Sequence, residues 1–600
     1  MGITRSTLIN ATLLLSLALA PALLGQPEAP KPFPPLTPQD ACSLLALVRH
    51  SASPATTDAP NAVPEALRRT GAPPVVFTLH QVPAIYRQAA GATLAESAAL
   101  AGKEFASLIA HLPDGARRLA QGRIQCDIVL AQKPLEQADP LQLLRELRPG
   151  IDGLGVTSGE TTIWLTPLTL FANWRTQDPL KFAYGAQENS ALPVTFTVRR
   201  FTPDAWVEEA PGGRALPVYR ANVLTPSPAP EQTVKAVFHA GRWLLNTQQD
   251  DGSFLPRYDP TQEKEVDRTT LVDHLRATIT LTLLHQITHA DEFEQARKKA
   301  VGYATAPERI KSDPAGLVYL PMETDDVSAT ALLLTALCVH ALAQPDPSAD
   351  AMMRRLGDYL CAMTAADGRL HARLDAARRN APPYLVRGGP YAETLLALSL
   401  LQRVSPTERV SACAGRIANL LSKPSAEAQL RGDQRTTARM IEALGQYYRI
   451  TRRQAELDAL MEMAGKLMER QLLGARALYP DFDGGFAEVG LAPDTFTTAM
   501  SACALSAAYE AAMLSRRDRA RFSAPTRAAA HFLANMQYRA ESSFFLARPE
   551  MALGAFRRSP EDLTIHTAAA AEAARALALA TTVIVETVAP IEPEKITPNW

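Results

Sequence analysis

The chain has 600 residues, of which 47% are hydrophobic and 20% are charged, and this composition excludes a disordered or fibrous protein. Its 61 basic and 62 acidic side chains nearly cancel and no Lys/Arg-rich tract stands out, so no nucleic-acid partner is expected. A chain of this length is too long for a single hydrophobic core, so we expect two or three domains.

Residues 1–25 predict a secretory signal peptide. Arg5 supplies a positive charge and residues 8–24 are almost wholly apolar, which is typical of an export signal. A Pro-rich linker over residues 26–40 follows. We therefore expect a periplasmic or secreted protein, with no later segment long and apolar enough to span a membrane. The alternative is an uncleaved N-terminal membrane anchor, because the run approaches the ~20 residues of a span.

Residues 41–222 predict an α+β domain. Runs rich in Val, Ile, Phe and Thr indicate strands over 75–79, 124–130, 161–165 and 194–199. Helical patterns occupy 42–49, 94–109 and 141–147. Repeated prolines then predict a linker over 223–233.

Residues 234–580 repeat one unit six times: an amphipathic helix, a turn-rich loop and a more apolar helix. The first helices are predicted over 234–249, 292–304, 349–363, 409–421, 454–471 and 526–538. The second helices are predicted over 271–287, 328–343, 392–401, 437–448, 497–512 and 566–580. A helix that is apolar all round must be buried on every side. The pattern therefore predicts six buried helices ringed by six amphipathic ones, an α/α toroid, with residues 581–600 as a C-terminal tail.

The loops within these pairs share an Asp-Gly turn. It occurs before Ser253, before Arg369 and in Asp483-Gly-Gly-Phe486, with a degraded copy over 542–545. Because Gly tolerates positive φ, we interpret the turn as structural.

The sequence predicts no cofactor and no metal. The six cysteines are scattered, and Cys338, Cys413 and Cys503 lie inside apolar helical patterns, where a lone Cys is usually a small buried hydrophobe. No disulfide framework is expected, and no phosphate-binding Gly loop occurs.

Two stretches carry resemblances. Residues 243–254, Asp483–Phe486 and 493–498 make the second part resemble the α/α toroid superfamily, which includes terpenoid cyclases, protein prenyltransferases, glucuronyl epimerases and glycan lyases and hydrolases. Unrelated chemistries share that scaffold. Residues 152–167 with Trp174 resemble the AMME-syndrome candidate-region family, which implies an α+β fold. That family's Cys-containing motif is expected soon after residue 79, where residues 85–91 have no Cys.

In a toroid, the loops that lead into the second helices emerge on one face, around the mouth of the ring. Helix N-termini there favour anionic groups. The polar residues at these positions are Asp267, Arg268, His274, Arg276, Glu323, Asp325, Asp326, Arg387, Tyr391, Glu393, Arg435, Asp494, Arg557, Asp562 and His566. For Asp326, Asp494 and Asp562 the alternative is helix capping.

We predict catalytic roles for Asp325, Glu393, Tyr391 and His274, because carboxylates facing Tyr and His suit acid/base chemistry on a sugar. Substrate binding, including a carboxylate of the substrate, is predicted for Arg276, Arg387, Arg435, Asp494 and His566. The leading hypothesis is an epimerase, lyase or hydrolase that acts on an acidic glycan.

Two alternatives stay open. One is a non-catalytic scaffold whose toroid binds a glycan or a peptide while the α+β domain engages a protein partner, and a small molecule is a further candidate ligand of the toroid cavity. The other is a terpenoid cyclase-like enzyme in which Glu323–Asp326 supplies the acid motif, and this one requires a deep apolar pocket with Asp325 at its top.

Overall fold

The computed structural model describes residues 33–53, 62–81, 84–135, 146–173, 196–226, 230–265, 270–323, 325–379, 384–385, 387–424, 430, 432–488 and 492–588. The predicted signal peptide and the last twelve residues of the predicted tail lie outside them. Contacts divide the chain into two units: unit 1 comprises Met1–Leu224 and Arg539–Pro549, and unit 2 comprises Thr225–Tyr538 and Glu550–Trp600.

Unit 1 combines helices with two antiparallel sheets. Its helices are α1 Pro38–Ala52, α2 Glu65–Arg68, α3 Leu94–Ile109, α4 Gly115–Gln121 and α5 Pro167–Asn173. Its strands are β1 Val75–His80, β2 Ile85–Ala89, β3 Arg123–Val129, β4 Lys133–Leu135, β5 Gly153–Ser158, β6 Thr161–Leu165, β7 Thr197–Phe201, β8 Pro203–Glu208 and β9 Ala215–Pro217. One sheet has the order β2-β1-β3-β8-β9 and the other β4-β7-β5-β6.

The core of unit 1 lies where α1 and α3 pack with the first sheet. Alternate residues of paired strands, such as Phe77 opposite Cys126, are buried in one cluster with Leu44 and Phe105, as the period-2 alternation of strands dictates.

Strand β5 was not among the predicted strands, and it contains two glycines. Both are needed there: a Cβ on Gly153 would lie 2.1 Å from the Phe201 ring, and one on Gly155 would lie 2.3 Å from the Trp164 ring. Of the predicted helix over 141–147, residues 141–145 lie outside the described residues, as do 194 and 195 of the predicted strand that is β7.

Unit 2 consists mainly of paired helices. The outer helices are α6 Pro230–Thr247, α8 Asp291–Ala304, α10 Pro347–Ala362, α13 Glu408–Leu421, α15 Gln454–Glu469 and α17 Ala520–Met536. The inner helices are α7 Leu271–Thr288, α9 Ser328–Ala343, α12 Gly388–Val404, α14 Gln434–Thr451, α16 Thr495–Leu514 and α18 Thr567–Val588. A short helix, α11 Leu374–Arg378, lies between α10 and α12.

The six inner helices form a closed ring. Each packs against the next inner helix along the chain, and α18 packs against α7, while every inner helix also packs against an outer one. Because each inner helix has neighbours on several sides, its apolar character is explained by burial, as on α9, where residues 329–341 are all buried. Unit 2 is therefore an α/α toroid.

Short strands lie in the loops between the helices. They are β10 Arg257–Asp259, β11 Lys264–Glu265, β12 Lys311–Ser312, β13 Val318–Tyr319, β14 Arg557–Ser559 and β15 Asp562–His566. Four of them form a sheet of order β11-β10-β15-β14.

The Asp-Gly turns at Gly252, Gly368 and Gly484 dock their pairs onto the next outer helix. Gly252 and Gly484 have φ of 90° and 86°, and a Cβ there would lie 2.3 Å and 2.1 Å from a carbonyl oxygen of α8 and α17. A Gln side chain also holds the turn in place: Gln471 Nε2 donates to the carbonyl of Gly484 at 2.9 Å. A further copy lies at Gly554 (φ 90°) and not over 542–545, which belongs to unit 1.

Two predicted boundaries need correction. Helix α6 begins at Pro230, inside the predicted linker, because Pro lacks an N–H that the first turn would leave unused anyway. Helix α18 continues to Val588, beyond the predicted tail boundary.

One described helix, over Thr567–Val585, is long and apolar enough by length and composition to cross a membrane, contrary to the sequence-based expectation. It is part of α18, and 61% of that window is buried within the protein, as the core position of an inner helix requires.

Candidate functional site

Six charged side chains from four inner helices meet near the middle of the ring. We call them the ion network, and its members are Arg276, Glu393, Arg439, Glu442, Glu572 and Arg575. Arg276 Nη2 donates to Glu393 Oε1 at 2.8 Å, from α7 to α12. Arg439 Nη2 donates to Glu572 Oε1 at 2.6 Å, from α14 to α18. Neither pair joins neighbouring inner helices, so these ion pairs cross the lumen.

The network balances three arginines against three glutamates. Burial alone would lower the pKa of Arg439, but the charges of Glu393 and Glu572 outweigh it and raise that pKa. Burial would likewise raise the pKa of Glu572, yet Arg439 and Arg276 lower it. Burial, with the positive charge of Arg439, lowers the pKa of Arg575 to about 9. The opposite charges of Arg439 and Glu572 thus stabilise each other, and none of the six side chains is more than 13% exposed.

A second cluster lies at the N-terminal ends of α14 and α16. We call it the mouth cluster: Arg435, Glu488, Asp494 and Phe496. Arg435 Nη2 donates to Asp494 Oδ1 at 3.3 Å, and Arg435 Nε lies 3.5 Å from Glu488 Oε2. The guanidinium carbons of Arg435 and Arg276 lie 5.2 and 5.4 Å from the centre of the half-buried Phe496 ring. Phe496 therefore connects the mouth cluster to the ion network.

The mouth cluster contains a carboxyl group with an altered pKa. Burial and the nearby Asp433 carboxylate raise the pKa of Glu488, against the opposing charge of Arg435. Its side chain is 17% exposed and that of Arg435 is 39% exposed, so both are open to solvent at this end of the ring. Glu488 and Phe496 were missed as site residues, although Phe496 lies in the 493–498 motif.

Three of the predicted catalytic residues form hydrogen bonds with backbone groups outside the ion network and the mouth cluster. Asp325 caps α9: Oδ1 accepts from the backbone N–H groups of Val327 and Ser328 at 2.9 and 2.7 Å. His274 Nε2 donates to the carbonyl of Ala300 on α8 at 2.8 Å, and burial lowers its pKa to about 4.

Tyr391, the third of these residues, donates its hydroxyl to the carbonyl of Leu385 at 2.9 Å and accepts from the N–H of Leu370 at 3.2 Å. It thus fastens the loop before α12. Glu393 is the predicted acid that does reach the lumen, as a buried member of the ion network.

The predicted binding residues divide into two groups. Arg276, Arg435 and Asp494 converge around Phe496, and Asp494 also caps α16 by accepting from Thr497 N–H at 2.9 Å. Arg387 is an exposed residue at the N-cap of α12. His566 ends β15 opposite Arg257.

The remaining mouth candidates are scattered. Asp326 Oδ1 accepts from Arg373 Nη1 at 2.7 Å, and Asp562 Oδ1 accepts from the N–H of Thr564 at 3.0 Å. Asp267 and Arg268 lie outside the described residues.

The C-terminal half of the ring lumen contains a cavity of about 120 Å³. All six inner helices line it, from the level of Ile279 and Leu396 outward to Arg449 and Met513. Asp325 is not among its lining residues, so this cavity is not the apolar pocket with Asp325 at its top that the cyclase hypothesis requires. Within the described part of the chain, no group of three or more His, Cys, Asp or Glu side chains is placed to hold a metal ion.

No family model matches the chain, and no curated protein matches it. Solved structures with a similar arrangement include a D-mannose isomerase (12% identity, 60% of this chain, all of that chain, TM-score 0.46). A cellobiose 2-epimerase from Spirochaeta thermophila is 14% identical over 60% of this chain and 97% of that chain (TM-score 0.45). An alpha-1,6-mannanase from a Salegentibacter species is 10% identical over 59% of this chain and 99% of that chain (TM-score 0.44).

An uncharacterised protein from Pyrococcus horikoshii is 17% identical over 30% of this chain and 97% of that chain (TM-score 0.25). These identities and scores are too low to transfer a function to this chain. The resemblances to terpenoid cyclases and to the AMME-syndrome candidate-region family remain predictions.

Proposed function

We propose that unit 2 binds a glycan at the mouth cluster and that the sugar unit held there is uncharged. The observation that carries this proposal is the grouping of Arg435, Glu488, Asp494 and Phe496 at the N-terminal end of the ring. It offers guanidinium donors, carboxylate acceptors and an apolar ring within one partly exposed cluster. Sugar hydroxyls both donate and accept, so alternating donors and acceptors suit them.

The pairing of the arginines favours a neutral sugar over the acidic glycan expected from the sequence. Arg276 is already bound by Glu393 and Glu572, and Arg435 is already bound by Asp494 and Glu488. A uronate would therefore meet guanidinium groups whose charge the protein has neutralised. It would also meet the carboxylates of Glu488 and Asp494, which repel it.

Catalysis is a second candidate, favoured by the raised pKa of Glu488. A carboxyl group that stays protonated closer to neutral pH suits a general acid. Glu393, the acid preferred from the sequence, is buried within the ion network at 4% exposure, which favours a supporting role.

We also propose that the protein acts in the periplasm or outside the cell, as the signal-like N-terminus suggests, with an N-terminal anchor as the alternative.

Isothermal titration calorimetry with neutral trisaccharides and the matching uronic acid trisaccharides tests the binding proposal. We expect a neutral trisaccharide to bind the full chain and Arg435→Ala to weaken binding about tenfold, because charge-assisted hydrogen bonds are lost. Arg409→Ala is the matched control, since Arg409 forms an exposed ion pair with Asp358 on the outer helices at 3.1 Å. Tighter binding of the uronic acid, or equal effects of the two substitutions, would overturn the proposal.

Product analysis separates binding from catalysis. If the site is catalytic, Glu488→Gln should lower turnover at least about a hundredfold while the dissociation constant changes only a few-fold. A wild-type protein that binds the sugar and leaves it unchanged would identify a scaffold.

A further inference from the structure

The C-terminal half of the lumen is a cavity separate from the mouth cluster. Arg575 and Glu442 of the ion network line its inner end, and Arg449 and Glu510, which form their own ion pair, line it near the C-terminal ends of the helices. Its volume of about 120 Å³ is comparable with the roughly 150 Å³ cavity that accommodates benzene. The space therefore suits a ligand of about six to eight non-hydrogen atoms.

The surface of the cavity is mainly apolar. Lining positions recur four residues apart on the inner helices, as with Ile279 and Leu283 on α7 and Leu396 and Leu400 on α12. Residues at i and i+4 share one face of a helix, so these stripes face the axis of the ring. They suit the apolar body of a ligand.

Two polar atoms in this lining are buried without a hydrogen-bond partner among the described residues: Thr335 Oγ1 and Gln446 Oε1. Thr335 is 3% exposed. A buried polar atom left unpaired is destabilising. The carbonyl oxygen of Gln446 accepts and the hydroxyl of Thr335 both donates and accepts, so a ligand hydroxyl would satisfy either atom.

The charges in the lining leave no site for an ionic head group. Arg575 is paired with Glu442 and Arg449 with Glu510, so the lining holds two positive and two negative groups. A carboxylate or an ammonium would disturb one of these pairs, whereas a neutral hydroxyl would disturb none.

We propose that this cavity is a second binding site, for a neutral aliphatic alcohol of about five to seven carbons. The aliphatic stripes hold the chain of the ligand, and Thr335 or Gln446 binds its hydroxyl. The site is independent of the glycan site, because the ion network separates the two halves of the lumen.

Saturation-transfer difference NMR of the full chain with 1-hexanol, hexanoate and hexylamine tests this inference. We expect 1-hexanol to bind at least about tenfold more tightly than either charged probe, since an unpaired charge is costly to bury. Thr335→Val keeps the shape and removes the hydroxyl, so it should weaken 1-hexanol binding about threefold to tenfold. Thr451→Val is the matched control, because the Thr451 hydroxyl bonds to the carbonyl of Tyr447 outside the cavity lining.

Leu400→Phe reports on the location of the ligand, since the larger ring fills the cavity and should abolish binding of 1-hexanol. The inference is overturned if a charged probe binds as tightly as 1-hexanol, or if Thr335→Val behaves like Thr451→Val. Unchanged binding to a folded Leu400→Phe protein would also overturn it, and if that variant does not fold, the Thr335 comparison still decides.

Discussion

The two halves of the ring lumen are built from the same six helices and are filled in opposite ways. In the middle, long charged side chains from α7, α12, α14 and α18 reach across the axis and neutralise one another. Towards the C-terminal ends, Leu, Ile and Val side chains line the walls and leave a cavity. Two ion pairs also line this cavity, so the difference between the halves lies in the aliphatic side chains around them, which are too short to fill the lumen.

Removing one member of the ion network should have the largest effect on stability. Glu572 accepts from Arg276, Arg439 and Arg575, so Glu572→Leu leaves three buried arginines short of a partner. We expect the free energy of unfolding to fall by about 3–5 kcal/mol, measured by urea denaturation of the ring. The exposed pair Arg379–Asp375 is the control, where Asp375→Ala should cost less than about 1 kcal/mol. Similar costs for both variants would mean that the network does not hold the ring together.

His274 sharpens the comparison, because it lies on the same helix as Arg276 but faces α8 and is held neutral. Its folded pKa of about 4 lies below the ordinary value near 6.5. The folded state therefore disfavours the proton, and the stabilising effect of a neutral His274 is full above pH 6.5 and lost as the pH falls towards 4. Arg309 and Asp251 also act on this pKa, in opposite directions.

The measurement is urea denaturation at pH 7 and pH 4.5 for the wild type and His274→Phe. We expect the variant to lose about 2–3 kcal/mol less on acidification than the wild type, as the pKa difference implies. His80→Phe, at another buried histidine with a pKa of about 4, shows whether the effect is general. Identical acid sensitivity of the wild type and His274→Phe would contradict the assignment.

A pair of Leu→Phe substitutions on α12 compares a position that lines the cavity with one in the packed core. Leu400 lines it, whereas the fully buried Leu398 does not. Leu398→Phe should lower the free energy of unfolding by about 1–3 kcal/mol through overpacking. Leu400→Phe should change it by less than about 1 kcal/mol, because the ring enters existing space. Equal destabilisation in thermal or urea unfolding would argue against the cavity.

The sequence predicted correctly those features of the ring that depend on the sequence of a single helix. The second helix over 328–343 coincides with α9 Ser328–Ala343, because a wholly apolar helix has one physical explanation. Arg276 and Glu393 could also be identified from single helices, because each is a charged residue within an otherwise apolar helix.

The partners of these two residues could not be predicted. Arg439 with Glu442, and Glu572 with Arg575, are spaced i, i+3, which resembles an ordinary surface ion pair. Only closure of the ring turns these pairs towards one another. Capping was also ambiguous: Asp325 rather than Asp326 caps α9, since one residue of offset decides which carboxylate reaches the helix N–H groups.

Hydrogen exchange measured by mass spectrometry, with and without a neutral trisaccharide, tests the glycan proposal most directly. We predict slower amide exchange over residues 432–438 and 492–498, where Asp433 and Asp494 cap α14 and α16, and unchanged exchange over the C-terminal ends of the inner helices. At saturating trisaccharide, unchanged exchange in both mouth segments, or stronger protection by the matching uronic acid, would contradict a neutral glycan site at the mouth cluster.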